Sequence, residues 1–326
     1  MKKRNLDLQL FTTMVGDMEI PPTAFQNYIY DKTKTLTPLA QSGVYYTSTE
    51  LDALAGGSGL TFTIPYVDDL DGEATVMVDG EMITPEKVGT KSMTGHRIIL
   101  EKAWSKTDLS QVLSGVDPLG ELQERMARYW ARQEQVWTIS LMESMKNVLF
   151  DTHTFDTEGT KLNASNILKA KQKLGDADAD LSILLMHSTT RTDLQSQNLI
   201  EVVEDSNGVV LFERYLGYKV VYFDSIPYDA ETKETTTYLV GAGVVGRGEG
   251  FPVGLETFET DRNSLGASRV FISRRSLVMH PTGLSFVGAV TNQFPTLAEF
   301  TDTTSWKKVF EDKKIPFVAI DHVTEN

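Results

Sequence analysis

Two apolar runs flank a polar stretch early in the chain. Leu60-Thr61-Phe62-Thr63-Ile64-Pro65-Tyr66-Val67 alternates apolar and polar positions, and Arg97-Ile98-Ile99-Leu100-Glu101-Lys102-Ala103-Trp104 is apolar at its centre. Both read as strands, the first leading out and the second returning. Between them, Asp79-Gly80 is a favoured hairpin turn, because both central residues of such a turn need positive φ. Asp71-Gly72, Pro85, Gly89 and Gly95 interrupt the rest. The pattern predicts a long, irregular β ribbon with a polar tip over 68–95.

A helical period follows at once. Leu119, Leu122, Met126, Trp130, Trp137, Leu141, Met145 and Val148 recur at steps of 3, 4, 4, 7, 4, 4 and 3. That is one apolar stripe on a helix from Asp117 to about Phe150. Asp117 suits the cap and Pro118 the first helical position, where a missing N–H costs nothing. At about 1.5 Å per residue the rod is roughly 50 Å long. Glu121–Arg125 and Glu124–Arg128 stand at i,i+4 on the polar side. The stripe is too broad and aromatic for a heptad seam, which sets a coiled coil aside.

Beyond a polar loop at 151–162, Ser165 to Leu174 reads as a second helix closed by Gly175. Leu181-Ser-Ile-Leu-Leu-Met186 reads as a buried strand, Ser188–Ile200 as a helix, and Tyr218–Phe223 and Thr236–Val240 as further strands. This predicts a compact α/β unit over 176–265. Arg269–Met279 and Gly283–Ala289 return as strands expected to pair with the ribbon base. Residues 1–59 read as an arm. Pro21, Pro22, Pro38, Gly43 and Gly56-Gly57-Ser58-Gly59 break regular structure there, yet Phe11, Phe25, Tyr28, Tyr30, Tyr45 and Tyr46 need a surface to bury against.

Composition narrows the function classes. An apolar fraction of 40% and a charged fraction of 23% fit a folded chain. No apolar run approaches the roughly 18 residues of a membrane span. Asp7 and Gln9 interrupt the start where a secretory signal needs an apolar core. The absence of cysteine removes disulfides, thiolate metal sites and thiol nucleophiles. Net charge is −14, and residues 176–261 hold 16 acids and 5 bases, a net of −11. Such a chain is a poor candidate for tight duplex binding, which rests on cations at phosphates.

Several local patterns resemble chemistry without completing it. Gly241-Ala242-Gly243-Val244-Val245-Gly246 matches a dinucleotide fingerprint after a strand. A helix must follow, and Arg247-Gly248-Glu249-Gly250-Phe251-Pro252-Val253-Gly254 forbids one, so a flexible loop is expected. Asp69-Leu70-Asp71-Gly72 would put Val67 and Val78 at two calcium-ligand positions, and after Asp176, Asp178 and Asp180 Leu181 stands where the loop's glycine should follow, so both read as solvated turns. His96, His153, His187, His280 and His322 have no partners at metal-ligand spacing. Arg262, Arg269, Arg274 and Arg275 form a basic patch with two open readings: charge balance within strands, or salt bridges between subunits.

Arm, ribbon, long helix, α/β unit and return strand, in that order, resemble the tailed-bacteriophage major capsid proteins, whose fold is named after phage Hong Kong ninety-seven. Leu6-Asp7-Leu8-Gln9-Leu10-Phe11 looks like the opening of many phage capsid and scaffold proteins, and Asp117-Pro118-Leu119 stands where the family's spine helix begins. The resemblance implies an α+β fold with an arm at 1–59, an extended loop at 60–105, a peripheral domain at 106–175 and 266–326, and an axial domain at 176–265. It implies self-assembly into hexamers and pentamers of a head shell in the virion, with neither enzymatic activity nor cofactor. Implied partners are other copies of the chain, a separate scaffolding protein, a portal, packaged DNA held without sequence readout, and a decoration protein as a further candidate. Interface candidates are Phe11, Phe25, Tyr28, Tyr30, Tyr45, Tyr46, Arg97, Glu101, Arg274 and Arg275. Crosslinking through Lys and Asn, known in some members, is assigned to no residue. Two rivals stay open: an encapsulin-type compartment of the same fold, and an α/β enzyme using Gly241–Gly254 for a ligand.

Overall fold

The computed structural model describes residues 38–67, 89–107, 118–197, 199–204 and 210–324, with positions 74, 76, 77, 79 and 82. The chain runs α1 (Pro38–Ser42), β1 (Tyr45–Thr47), α2 (Thr49–Gly56), β2 (Thr61–Val67), β3 (Thr90–Thr107), α3 (Pro118–Val148), α4 (Phe150–His153), β4 (Thr154–Lys161) and α5 (Ala164–Lys171). A 3-10 turn over Gln172–Asp180 leads to β5 (Leu181–Met186), α6 (Ser188–Ser196), β6 (Glu201–Glu204), β7 (Val210–Tyr215), β8 (Tyr218–Tyr222) and β9 (Glu234–Gly241). Then come β10 (Val245–Gly250), β11 (Phe258–Asn263), β12 (Ser268–Pro281), β13 (Leu284–Phe286), α7 (Leu297–Thr301), β14 (Trp306–Lys308) and β15 (Phe317–Val323).

Two mixed sheets carry the fold. One has the order β1-β10-β12-β3-β2, with β11 also on β12; the other runs β4-β15-β9-β5-β8-β7-β6. The long helix α3 unites them. Its first half sets Met126, Ala127 and Trp130 against Phe258 and Phe271 of the first sheet. Its second half places Trp137, Leu141 and Met145 in a core shared with Ile98 and Leu277 on one side and Ile183, Leu185, Tyr238 and Val240 on the other. The apolar stripe is therefore the packing face, and Glu124–Arg128 is an exposed pair on the opposite face. The side chain of Leu119 and the cap at Asp117 lie outside the described residues.

β5 shows why a continuous apolar run is a strand here. Ile183 and Leu185 point into the α3 core, while Leu184 and Met186 point into a second core with Leu174, Leu194 and Tyr215. Both faces are buried, so no polar alternation is needed. Gly175 takes φ of 63° and interrupts the helical path after α5, as its position predicts.

Five expectations need correction here. The polar loop expected over 151–162 is instead the end of α4 and strand β4, which pairs with β15. The return strand of the ribbon begins at Thr90: β2 pairs with 90–96 in the register Thr61↔His96 to Val67↔Thr90. Residues 97–107 pair with β12 instead, Arg97↔Val278 to Thr107↔Ser268. The 176–265 segment is not closed on itself. Its sheet takes in β15 and β4, because Phe317-Val318-Ala319-Ile320 covers what would be a bare apolar edge on β9, while β10 and β11 leave for the other sheet. Of Gly283–Ala289, only β13 forms, and it pairs with β14. The helix expected over 188–200 ends at Ser196.

Trp130 is 2% exposed and donates its indole N–H to Ser273 Oγ at 3.0 Å. Trp130→Ala removes a large buried side chain and is expected to cost about 3–5 kcal/mol. The unfolding midpoint of unassembled subunits in urea measures it, and a loss under about 1 kcal/mol, the range of surface changes, contradicts the packing described.

Candidate assembly interface

The ten candidate residues divide by burial. Phe11, Phe25, Tyr28 and Tyr30 lie outside the described residues. Tyr46 is 58% exposed and Glu101 is exposed on β3. Arg274 is half-buried, donating to Glu259 Oε2 at 3.0 Å, to the Glu256 carbonyl at 2.9 Å and to Glu101 Oε2 at 3.4 Å. Arg97 is buried on β3.

Arg275 is a correction. It points inward, into a cluster of two arginines and two glutamates between α3 and the first sheet. Arg275 Nε donates to Glu249 Oε1 at 2.7 Å and its Nη2 to Glu249 Oε2 at 2.5 Å. Arg247 Nε donates to Glu134 Oε1 at 2.5 Å, and its Nη2 to Glu134 Oε2 at 3.0 Å and Glu249 Oε2 at 2.8 Å. Arg275 Nη2 reaches Glu134 Oε2 at 3.4 Å and closes the ring. Tyr45 is drawn in too, with its hydroxyl 2.5 Å from Thr138 Oγ1 and its ring under the Arg247 guanidinium. Neither Arg275 nor the inner end of Tyr45 is offered to a neighbour.

The electrostatics follow from that geometry. Burial alone raises the Glu134 pKa, but Arg247 and Arg275 outweigh it and hold the carboxyl below its ordinary value. Burial likewise opposes the charge on Arg247, and Glu134 and Glu249 more than restore it. Burial and the Glu134 carboxylate push the Tyr45 phenol up. The four charges sum to zero, so the fold buries them as a neutral unit.

The sequence carried a signal for this cluster. Glu134 occupies the stripe position skipped by the step of seven from Trp130 to Trp137. A charge on a buried helix face demands a counter-ion, and Arg247 and Glu249 alternate on one face of β10. The second signal is glycine. Within the segment expected to be a flexible loop, residues 245–250 form strand β10, and its glycines make room for α2. A Cβ on Gly248 meets the Leu51 carbonyl oxygen at 2.3 Å, and one on Gly250 meets the Gly56 amide nitrogen at 2.2 Å. The space beside Gly248 and Gly250 is filled by a helix, so no ligand approaches the backbone there.

The histidines hold structure. His153 sits between the Phe317 carbonyl at 2.6 Å and Asp312 at 3.1 Å. His187 caps α6, and His322 bonds Thr237 at 2.8 Å. His280 packs edge-on to Trp306, and burial lowers its pKa to about 4. Asp176 and Asp178 pair with Lys313 and Lys171. Among the described residues, no group of three or more His, Asp or Glu side chains has a metal-holding arrangement.

A family model described as "Gp13-like: Major capsid protein 13-like" matches residues 131–316. Over 320 residues the chain is 35% identical to the "Major capsid protein" of Bacillus phage SPP1, covering 95% of this chain and 98% of that one. The chain belongs to the Gp13-like family of phage major capsid proteins. The fold agrees. The capsid of Ralstonia phage GP4 superposes with a TM-score of 0.56 at 11% identity, over 87% of this chain and 88% of the other. The capsid of a native GTA particle gives 0.53 at 11% identity, over 89% and 91%. This major capsid protein has the Hong Kong ninety-seven-type fold and assembles with copies of itself into the virion capsid.

Glu134→Gln removes one charge of four and leaves an uncompensated cation, so a loss of about 3–5 kcal/mol is expected. The pH dependence has a definite sign. The folded-state pKa of Glu134 lies below the unfolded one, so its stabilisation is present above the ordinary carboxylate range, about 4.3, and is lost as pH falls through the lower folded value. Urea midpoints measured across the acid range should fall less steeply in the variant. Parallel curves contradict the assignment.

Proposed function

We propose that this major capsid protein forms hexamers and pentamers that close into the icosahedral head around double-stranded DNA, with the β2–β3 ribbon of each subunit lying on the next. One observation carries this reading. Val67, Val76, Met77 and Met82 on the ribbon are 65%, 88%, 88% and 98% exposed. Apolar groups beyond the fold's own cores favour burial on a second copy. Repeated heterologous contacts of this kind close into rings and shells.

The division proposed is an arm at 1–59, an extended loop at 60–105, a peripheral domain at 106–175 and 266–326, and an axial domain at 176–265 to which β4 and β15 lend strands. Tyr46, Glu101 and Arg274 are the surface candidates for subunit contacts. The chain acts without catalysis or cofactor. It assembles in the host bacterial cytoplasm with a separate scaffolding protein and a portal, and a decoration protein is a further candidate partner. Packaged DNA is enclosed without sequence readout, in keeping with a net charge of −14. An encapsulin-type compartment would share the fold, but identity to a phage major capsid protein along nearly the whole chain favours the head shell.

Replacing residues 69–88 with a short Gly-Ser turn leaves β2 and β3 paired. The variant is expected to fold, by circular dichroism, and to form no closed shells, by electron microscopy. Normal shells contradict the ribbon's role.

A further inference from the structure

The two ends of the second sheet carry opposite charge, and each leaves apolar surface uncovered. β6 is the terminal strand, paired along one edge among the described residues. Val202 on β6 and Leu211 on β7 are 48% and 60% exposed. They share a face of the hairpin, because Val202 stands opposite Glu213 and Leu211 lies two residues from it. Glu201 and Glu204 are exposed at either end of β6. Arg214, opposite Glu201 in the register, lies over the Phe212 ring at 5.0 Å, and neither glutamate has an ion pair among the described residues.

At the other end, α5 packs beside β4 and β15. Its outer face carries Leu168, 54% exposed, and Lys169, with Lys173 exposed one turn further on. Residues 161–173 hold four lysines (Lys161, Lys169, Lys171 and Lys173) and no acid, a net of +4. Asp176 and Asp178, the acids that follow, already pair with Lys313 and Lys171. Lys169 and Lys173 have no ion pair among the described residues. β15 and β6 stand five steps apart in the sheet order, about 24 Å. Regular structure holds both patches in place, and within one copy they do not pair.

We propose that the β6–β7 hairpin of one copy seats on the outer face of α5 of the next, with Glu201 and Glu204 against Lys169 and Lys173 and with Val202 and Leu211 covering Leu168. This rests on the reading that copies close into rings, and it adds a contact to the one made by the β2–β3 ribbon. A second copy is the occupant because the chain assembles with copies of itself and carries both halves of a complementary pair. The two patches differ, so the contact is heterologous and repeats from copy to copy. The other role open to glutamates on a terminal strand is to guard its edge against strand addition, and there either sign of charge serves.

Charge reversal in the full chain separates the two roles. Glu201→Lys with Glu204→Lys, and Lys169→Glu with Lys173→Glu, change exposed groups, so the urea midpoints of unassembled subunits are expected to match the parent. The protein concentration for half-maximal assembly, read by sedimentation, is expected to rise about tenfold or more for each reversed patch. All four substitutions together restore opposite signs across the contact, and assembly is expected to return to within about threefold of the parent. Losses that persist or add in the fourfold variant would overturn the pairing. Parent-like assembly of either reversed patch alone would overturn the proposal and leave the glutamates as edge guards. Where a reversal unfolds the subunit, Glu201→Gln with Glu204→Gln and Lys169→Gln with Lys173→Gln take its place; their effects are expected to be non-additive, and additive effects would overturn the pairing. Failure of the underlying reading looks different: there, the parent chain forms no rings or closed shells by electron microscopy.

Discussion

The neutral cluster of Glu134, Arg247, Glu249 and Arg275 is the constraint on which the rest of the fold depends. It joins three elements, α3, β10 and β12, at the point where α3 passes from one sheet's core into the core shared by both. Apolar contacts alone allow a helix to slide along a sheet, because they are not directional. Charged pairs with two-pronged geometry do not, since a shift of one turn strands a buried charge. The cluster fixes the register of the long helix, and with it the direction in which β3 and the ribbon leave the body.

A second consequence concerns β10. Its outer face must take α2, while its inner face carries Arg247 and Glu249 into the cluster. The two demands split the strand by residue type: charges at 247 and 249, glycines at 246, 248 and 250. The glycines are a product of helix-on-strand contact so close that the Leu51 carbonyl lies where a Cβ would be. Gly246, the first of them, also ends the Gly241-x-Gly243-x-x-Gly246 match to a dinucleotide fingerprint, but a strand follows it and no helix N-terminus is there to hold a phosphate.

Features set by one element's own period were legible in the sequence. The α3 stripe, the doubly buried β5 and the 269–279 strand each needed only local pattern. Features set by a distant partner were not. Residues 90–96 are polar on both faces at their outer end, so nothing marked the true start of the return strand. β15 completes a sheet begun over a hundred residues earlier, which no local period records. Arg275 stands beside Arg274 in one basic patch, but on a strand neighbours face opposite ways, and only Arg275 turns into the buried cluster. Glu134 was legible in principle as the gap in the stripe, but its partners required the fold.

The division between groups met inside the chain and groups left exposed also bears on how a subunit associates. Arg247 and Arg275 are neutralised inside the chain, so their energy contributes to folding and is present in a lone subunit. The exposed apolar groups of the ribbon have no cover among the described residues, so their energy is left for contacts between copies. A subunit that satisfied every group internally would be stable and inert. One that left its long helix unsecured would expose apolar surface everywhere and associate without direction. Separating the two, with charge pairs fixing the body and unmet contacts on the ribbon, makes association directional, because the unmet groups sit where the fixed body points them.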